Sequence, residues 1–184
     1  MRYNPAAQSS LWAGKDKVRM AQLGSPRASR PRGQAAGPPR SSPRAPRRIL
    51  LIEDNPVDAM MLRVGLEERG IPFEMQVLHH GDVAMAFARR EGTFSSQPLP
   101  DMILVDLNIP GYSGSEVLKQ LSGTPAFRTV KIGVFTSSND PRDEAFSRQN
   151  GAQFYLNKPM DLEGLDRLSE RITRLLGLSR EDAG

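Results

Sequence analysis

The sequence predicts an α/β fold, a doubly wound five-stranded parallel sheet with helices on both faces. Two observations carry this expectation. Short apolar runs alternate with helix-length amphipathic segments, the pattern of strands buried on both faces and joined by crossover helices. Several of those runs also end on chemically active groups. Glu53-Asp54, Asp106, Thr136 and Lys158 each stand at or just beyond a strand's carboxyl end, where open α/β sheets place their ligands.

Taken in order, Arg48-Ile49-Leu50-Leu51-Ile52 is the first apolar run. Asp54 or Asn55 then caps a helix, with Pro56 at its first turn, Met60, Met61, Val64 and Leu66 as its apolar side and Gly70 as its stop. Phe73 to Leu78 is the second strand, and Asp82 to Arg90 a helix carrying Val83, Met85, Ala86 and Phe87. Thr93 to Pro100 reads as a polar loop, Asp101 to Val105 as the third strand. Ser113 or Ser115 opens a helix that closes near Gly123. Lys131 to Phe135 is the fourth strand, Pro141 to Gln149 a helix, and Gln153 to Leu156 the fifth strand. Asp161 caps a last helix with Leu162, Leu165, Leu168, Ile172, Leu175 and Leu176 as apolar positions. Right-handed crossovers reduce such an order to a few topologies.

Composition separates a tail from this unit. Residues 1–48 hold 11 Lys or Arg against one acid, Asp16, whereas residues 49–184 hold 14 basic and 20 acidic residues. The net charge of +4 therefore belongs to the tail, and the folded part is acidic. Residues 1–46 are expected to be a disordered basic tail rich in Pro, Arg and Ser, with little to bury against the entropy of ordering. The folded domain is expected over 47–177, with a short C-terminal tail at 178–184. The absence of cysteine excludes disulfides, thiolate metal sites and cysteine catalysis. No stretch has the length and apolarity of a membrane span or a secretory signal, so the expected location is cytoplasmic.

The strand-end groups suit phosphoryl chemistry. Adjacent carboxylates such as Glu53 and Asp54 repel unless they share a cation, and oxygen donors suit Mg²⁺. The plainer role for Asp54 is a helix cap, which Asn55 could fill instead. Asp106 can attack phosphorus to form an acyl phosphate. That step requires charge compensation, which Mg²⁺ and the Lys158 ammonium would supply, while the Thr136 hydroxyl could donate to a phosphoryl oxygen. Thr136-Ser137-Ser138-Asn139-Asp140-Pro141 is also an ordinary turn sequence, and Lys158 could be an ordinary surface lysine. A cis Lys158–Pro159 bond would aim the ammonium inward. His79-His80 is expected at the surface rather than in catalysis, and Gly111-Tyr112-Ser113-Gly114 lacks the Lys of a P-loop.

These motifs resemble the receiver domains of two-component response regulators. The resemblance rests on Ile-Leu-Leu-Ile-Glu-Asp-Asn-Pro at 49–56, Val-Asp-Leu-Asn-Ile-Pro-Gly at 105–111, Thr136-Ser137-Ser138, Gly151-Ala152 and Tyr155-Leu156-Asn157-Lys158-Pro159. The Glu-Asp-Asn-Pro-x-Asp opening, the long loop before Pro100 and Asp-Leu-Asn-Ile-Pro-Gly are most similar to single-domain regulators paired with phytochrome-type histidine kinases. The resemblance implies a flavodoxin-like fold with strand order 2-1-3-4-5. It implies that Asp106 receives the phosphoryl group from a kinase phosphohistidine and becomes a 4-aspartylphosphate. Glu53, Asp54, Asp106 and the main-chain carbonyl of Asn108 would serve Mg²⁺. Thr136 and Tyr155 would be coupled switch residues, and Lys158 the basic partner of the phosphate. Ser138 and Asn108 stand where the family tunes phosphate lifetime.

The resulting expectation is a phosphoacceptor signalling protein, not an enzyme beyond self-phosphorylation and self-dephosphorylation. Its partners would be a histidine kinase, by resemblance one of bacteriophytochrome type, and a downstream protein, with homodimerisation one form of output. No C-terminal DNA-binding effector is expected after the last helix. Phosphorylation would draw Thr136 to the phosphate and rotate Tyr155 inward, remodelling a face that carries Phe146, Arg148 and Arg167. Two alternatives differ in class. The Arg-rich tail could bind nucleic acid, although a solvated tail or an upstream start codon accounts for it more simply. A haloacid-dehalogenase-type phosphatase also uses a strand-end Asp, but it needs an acid where Asn108 stands.

Overall fold

The computed structural model describes residues 45–178. The expected basic tail lies outside the described residues apart from positions 45 and 46, and so does 179–184 of the C-terminal tail. Five strands, β1 (Arg47–Ile52), β2 (Phe73–Leu78), β3 (Met102–Val105), β4 (Lys131–Thr136) and β5 (Phe154–Asn157), form one parallel sheet in the order β2-β1-β3-β4-β5. Between and after them run α1 (Pro56–Glu67), α2 (Gly81–Ala88), α3 (Gly114–Gly123), α4 (Pro141–Gln149) and α5 (Leu162–Leu175). The expected fold and strand order are those observed.

Side chains alternate across each strand, and this parity divides the core in two. Leu50 and Ile52 of β1, Ile103 and Val105 of β3, Ile132 and Val134 of β4, and Tyr155 of β5 pack with α2 and α3. Ile49, Leu51, Met102, Leu104, Phe135, Phe154 and Leu156 pack on the other side with α1 and α5. Leu178 is buried in that second cluster. The strands are short and apolar because both of their faces must be covered.

Three expectations need correction. The apolar side of α1 is turned relative to the expected one: Ala59, Leu62, Gly65 and Leu66 are buried, while Met60 is 56% and Val64 38% exposed. The phase is set by α5. A Cβ added at Gly65 would lie 2.4 Å from Ser169 Oγ and 2.7 Å from Leu165 Cδ1, so only the glycine edge of α1 can approach α5 this closely. Leu162 is 78% exposed because it opens α5 beyond the end of the core. The loop expected to be polar contains a 3-10 turn over Gly92–Phe94 that buries Phe94, with its ring centroid 5.6 Å from that of Phe87.

Helix ends follow local rules. Asn55 Oδ1 accepts from Val57 N at 3.0 Å, leaving Asp54 free of capping duty. Ser113 and Glu116 form a reciprocal capping box on α3. Asp140 and Asp161 cap α4 and α5. Among the described residues no helix is long and apolar enough to cross a membrane.

Candidate functional site

Sheet register brings the candidate groups together. Ile52 pairs with Leu78 and Val105, and Thr136 with Asn157. The ladder continues one residue into the site: Glu53 N donates to Leu78 O at 2.9 Å, Asp106 N to Ile52 O at 2.9 Å, and Lys158 N to Thr136 O at 2.8 Å. The backbones of the three charged residues are thus fixed by the sheet, not by a free loop. Gly114 adds to this. A Cβ there would lie 1.9 Å from Asp106 O, so the chain leaving Asp106 packs back against it at α3.

Lys158 Nζ lies 2.8 Å from Asp106 Oδ2, 2.8 Å from Glu53 Oε2 and 2.8 Å from Asp58 Oδ2. Its contacts with Asp106 and Asp58 are directed hydrogen bonds. Phe135 lies beneath, with the ammonium 5.7 Å from its ring centroid. The Lys158–Pro159 peptide is trans, as are all peptides among the described residues, and the ammonium faces inward without a cis bond. Strand parity and the reach of the side chain suffice. Burial works against the Lys158 charge, but the carboxylates of Asp106, Asp58 and Glu53 outweigh it and raise the pKa above the ordinary lysine value.

Glu53 and Asp106 are buried, at 0% and 3% exposure. Burial raises the Glu53 pKa, against the lowering effects of Lys158 and of the Asn55 amide that donates to Oε1 at 2.9 Å. Glu53 Oε2 is buried against the Lys158 ammonium at 2.8 Å. Oxygens of Glu53, Asp54 and Asp106 lie within 4.8 Å of one another. Asp54 is the exposed member, as suits a ligand facing an entry path. Three carboxylates contact one ammonium, and Asp54 adds a fourth negative charge beside them. That excess of negative charge and the all-oxygen donor set fit a hard divalent cation.

The remaining expected residues are placed differently. Asn108 is exposed, and its amide donates to Asp106 Oδ1 at 3.2 Å. Thr136 is fully buried and its hydroxyl accepts from Ser138 N at 3.3 Å. Tyr155 is 5% exposed and its hydroxyl donates to Ser138 O at 3.2 Å. The inward rotation expected of Tyr155 on phosphorylation has no room to occur from here, because the ring is already inside. Parity places it on the α2–α3 side with Val134. Burial raises its pKa. His79 Nδ1 lies 2.9 Å from Glu53 O, and His80 caps α2, so the histidine pair is structural. Asp58 is the site residue that sequence reasoning missed. An acid in the first turn of a helix is expected from the helix dipole alone.

Comparison with known proteins settles the family. The model of the response regulator receiver domain matches residues 49–170. The chain belongs to that family. The response regulator Rcp1 of Synechocystis is 32% identical over 127 residues, 69% of this chain and 86% of its own. The crystal structure of the phosphorylated cyanobacterial phytochrome response regulator RcpA superposes with a TM-score of 0.65 at 30% identity, covering 72% of this chain and 94% of RcpA. The Mn²⁺-bound form of Rcp1 superposes with a TM-score of 0.62 at 32% identity, covering 70% of this chain and 92% of Rcp1. This receiver domain is a response regulator of phosphorylation-based signalling, and a histidine kinase partner follows from the family. Neither the nucleic-acid-binding nor the phosphatase alternative receives support.

Proposed function

We propose that Asp106 is the phosphoacceptor and that the carboxylates of Glu53, Asp54 and Asp106, with the Asn108 carbonyl, hold Mg²⁺. The observation that carries this reading is the buried Asp106–Lys158–Glu53 cluster, in which Lys158 lies 2.8 Å from both carboxylates and Asp54 brings a third carboxylate within reach of them. When bound, Mg²⁺ supplies charge compensation for a phosphoryl group approaching a carboxylate. Lys158 would exchange a carboxylate for a phosphoryl oxygen, and the Thr136 hydroxyl, which accepts from the Ser138 amide, would donate a hydrogen bond to another. A phosphoryl group adds about two negative charges. Thr136 and Tyr155 both hydrogen-bond Ser138, so the charge would be felt first in the β4–α4 loop.

The donor would be a phosphohistidine on a kinase of the phytochrome type, a reading supported by the likeness to Rcp1 and RcpA. Output would pass by protein contact through α4, β5 and α5. Phe146 is 54%, Met160 96% and Leu162 78% exposed in this region, which suits self-association. A cytoplasmic site of action goes with this reading. Its chemistry is confined to Asp106 of the chain itself, and no other substrate is turned over.

The test is intact mass after incubation with a small phosphodonor. One hydroxylamine-sensitive phosphate is expected with Mg²⁺ and none in excess chelator or in Asp106→Asn. Labelling of Asp106→Asn at another residue would overturn the assignment.

A further inference from the structure

Asp58 has a geometry that the helix dipole does not explain. An acid that merely complements a helix N-terminus needs only to be exposed near the first turn. Asp58 instead turns Oδ2 inward to Lys158 Nζ at 2.8 Å, one hundred residues away in the chain. The same oxygen accepts from Asn55 Nδ2 at 3.0 Å. The residue that caps α1 therefore also fixes Asp58 in place. Asp58 is not among the oxygens that cluster as a metal site, so its contact within the site is the ammonium.

We propose that Asp58 is a positioning residue that takes a share of the Lys158 ammonium, weakening its hold first on the metal-binding oxygens and then on the phosphoryl group. The proposal rests on Asp106 being the phosphoacceptor. Lys158 and a cation compete for the same atoms, because the ammonium lies 2.8 Å from Glu53 Oε2 and Asp106 Oδ2. Asp58 gives the ammonium a third partner that no cation in the cluster uses. With Asp58 present, Glu53 and Asp106 yield to a cation at lower cost. Once a phosphoryl group stands on Asp106, the same contact acts in the other direction. It keeps part of the lysine's charge for itself and places a fourth carboxylate beside a new anion. Asp58 thus favours the cation and disfavours the phosphoryl group.

The experiment measures two affinities on the full chain: Mg²⁺ alone, and beryllofluoride at saturating Mg²⁺. Asp58→Asn is expected to weaken Mg²⁺ about fivefold and to tighten beryllofluoride about fivefold, in the range of couplings between contacting groups. Asp58→Glu, which keeps the charge, should stay within about twofold of the parent for both. In a Lys158→Ala background the Asn substitution should change Mg²⁺ affinity by less than about twofold, because the residue acts through the lysine. Unchanged affinities in Asp58→Asn, or a loss of both together, would overturn the proposal. An undiminished Mg²⁺ effect in Lys158→Ala would reduce Asp58 to a through-space charge and overturn it too. Beryllofluoride binding to Asp106→Asn as tight as to the parent would overturn the phosphoacceptor assignment itself.

Discussion

α4 and α5 lie near the same edge of the sheet but are held by different forces. α5 buries Leu165, Leu168, Ser169, Ile172 and Thr173 and packs against α1 at Gly65. α4 buries only Ser147 and leaves Phe146 half exposed. What holds α4 is polar. Asp140 caps its first turn, and Ser138 Oγ donates to Asp143 Oδ2 at 2.5 Å. Apolar burial resists displacement over the whole length of a helix, whereas a few hydrogen bonds release when their partners turn. The partner here is Ser138. Its carbonyl accepts from Tyr155 and Asn157, its amide donates to Thr136, and its hydroxyl holds α4. A disturbance at the Thr136 hydroxyl reaches α4 through one residue.

The largest expected difference is in stability. Ile172→Ala empties a fully buried position on α5 and should cost about 2–5 kcal/mol in urea unfolding. Phe146→Ala on α4 should stay within about 0.5 kcal/mol. Equal costs would show that α4 is anchored as firmly as α5. Next in size is hydrogen exchange. Beryllofluoride with Mg²⁺ should change amide exchange in the β4–α4 loop and α4 by about tenfold, about 1.4 kcal/mol of local opening, and leave Leu165–Ile172 of α5 within about twofold. The reverse pattern would place the response on the wrong helix.

The strand-end chemistry was legible because it depends on residue type at places the apolar runs define. Asp106 follows Val105 as Glu53 follows Ile52, and parallel pairing makes those positions neighbours. The phase of α1 was not legible. Met60 and Val64 fit a 3.6-residue period as well as Leu62 and Leu66 do, and the choice falls to Gly65 against Ser169, on a helix about a hundred residues later. Asp58 was hidden for a related reason, since its partner Lys158 is distant in sequence and its position has a local explanation of its own. Phe94 stood in a polar stretch, with nothing local to mark it as core. The side on which Tyr155 lies follows from β5 parity, but only once the strand's first residue is known.

The smallest expected effect sharpens the polar side of the comparison. Burial raises the Tyr155 pKa above its ordinary 10.0. The folded state then binds its proton more tightly than the unfolded state, so this contribution to stability is fully present below pH 10 and declines as pH rises through the folded value. Tyr155→Phe should cost about 1 kcal/mol at pH 8 through the lost hydrogen bond to Ser138. It should also flatten the decline in unfolding free energy above pH 10. A decline as steep in Tyr155→Phe as in the parent would assign the alkaline loss elsewhere.

The contact of Gly114 with the Asp106 carbonyl bears on how a map of single substitutions in this chain should be interpreted. Gly114 has no side chain to donate, accept or titrate, yet a methyl group there would overlap the main-chain carbonyl of Asp106 at 1.9 Å. In a screen scored by phosphorylation alone, Gly114 will rank with Asp106, and the two will be separable only by a second score for folding. Intolerance at this position measures how tightly the backbone after Asp106 is packed, and a list of essential residues drawn from activity would assign chemistry to a steric constraint.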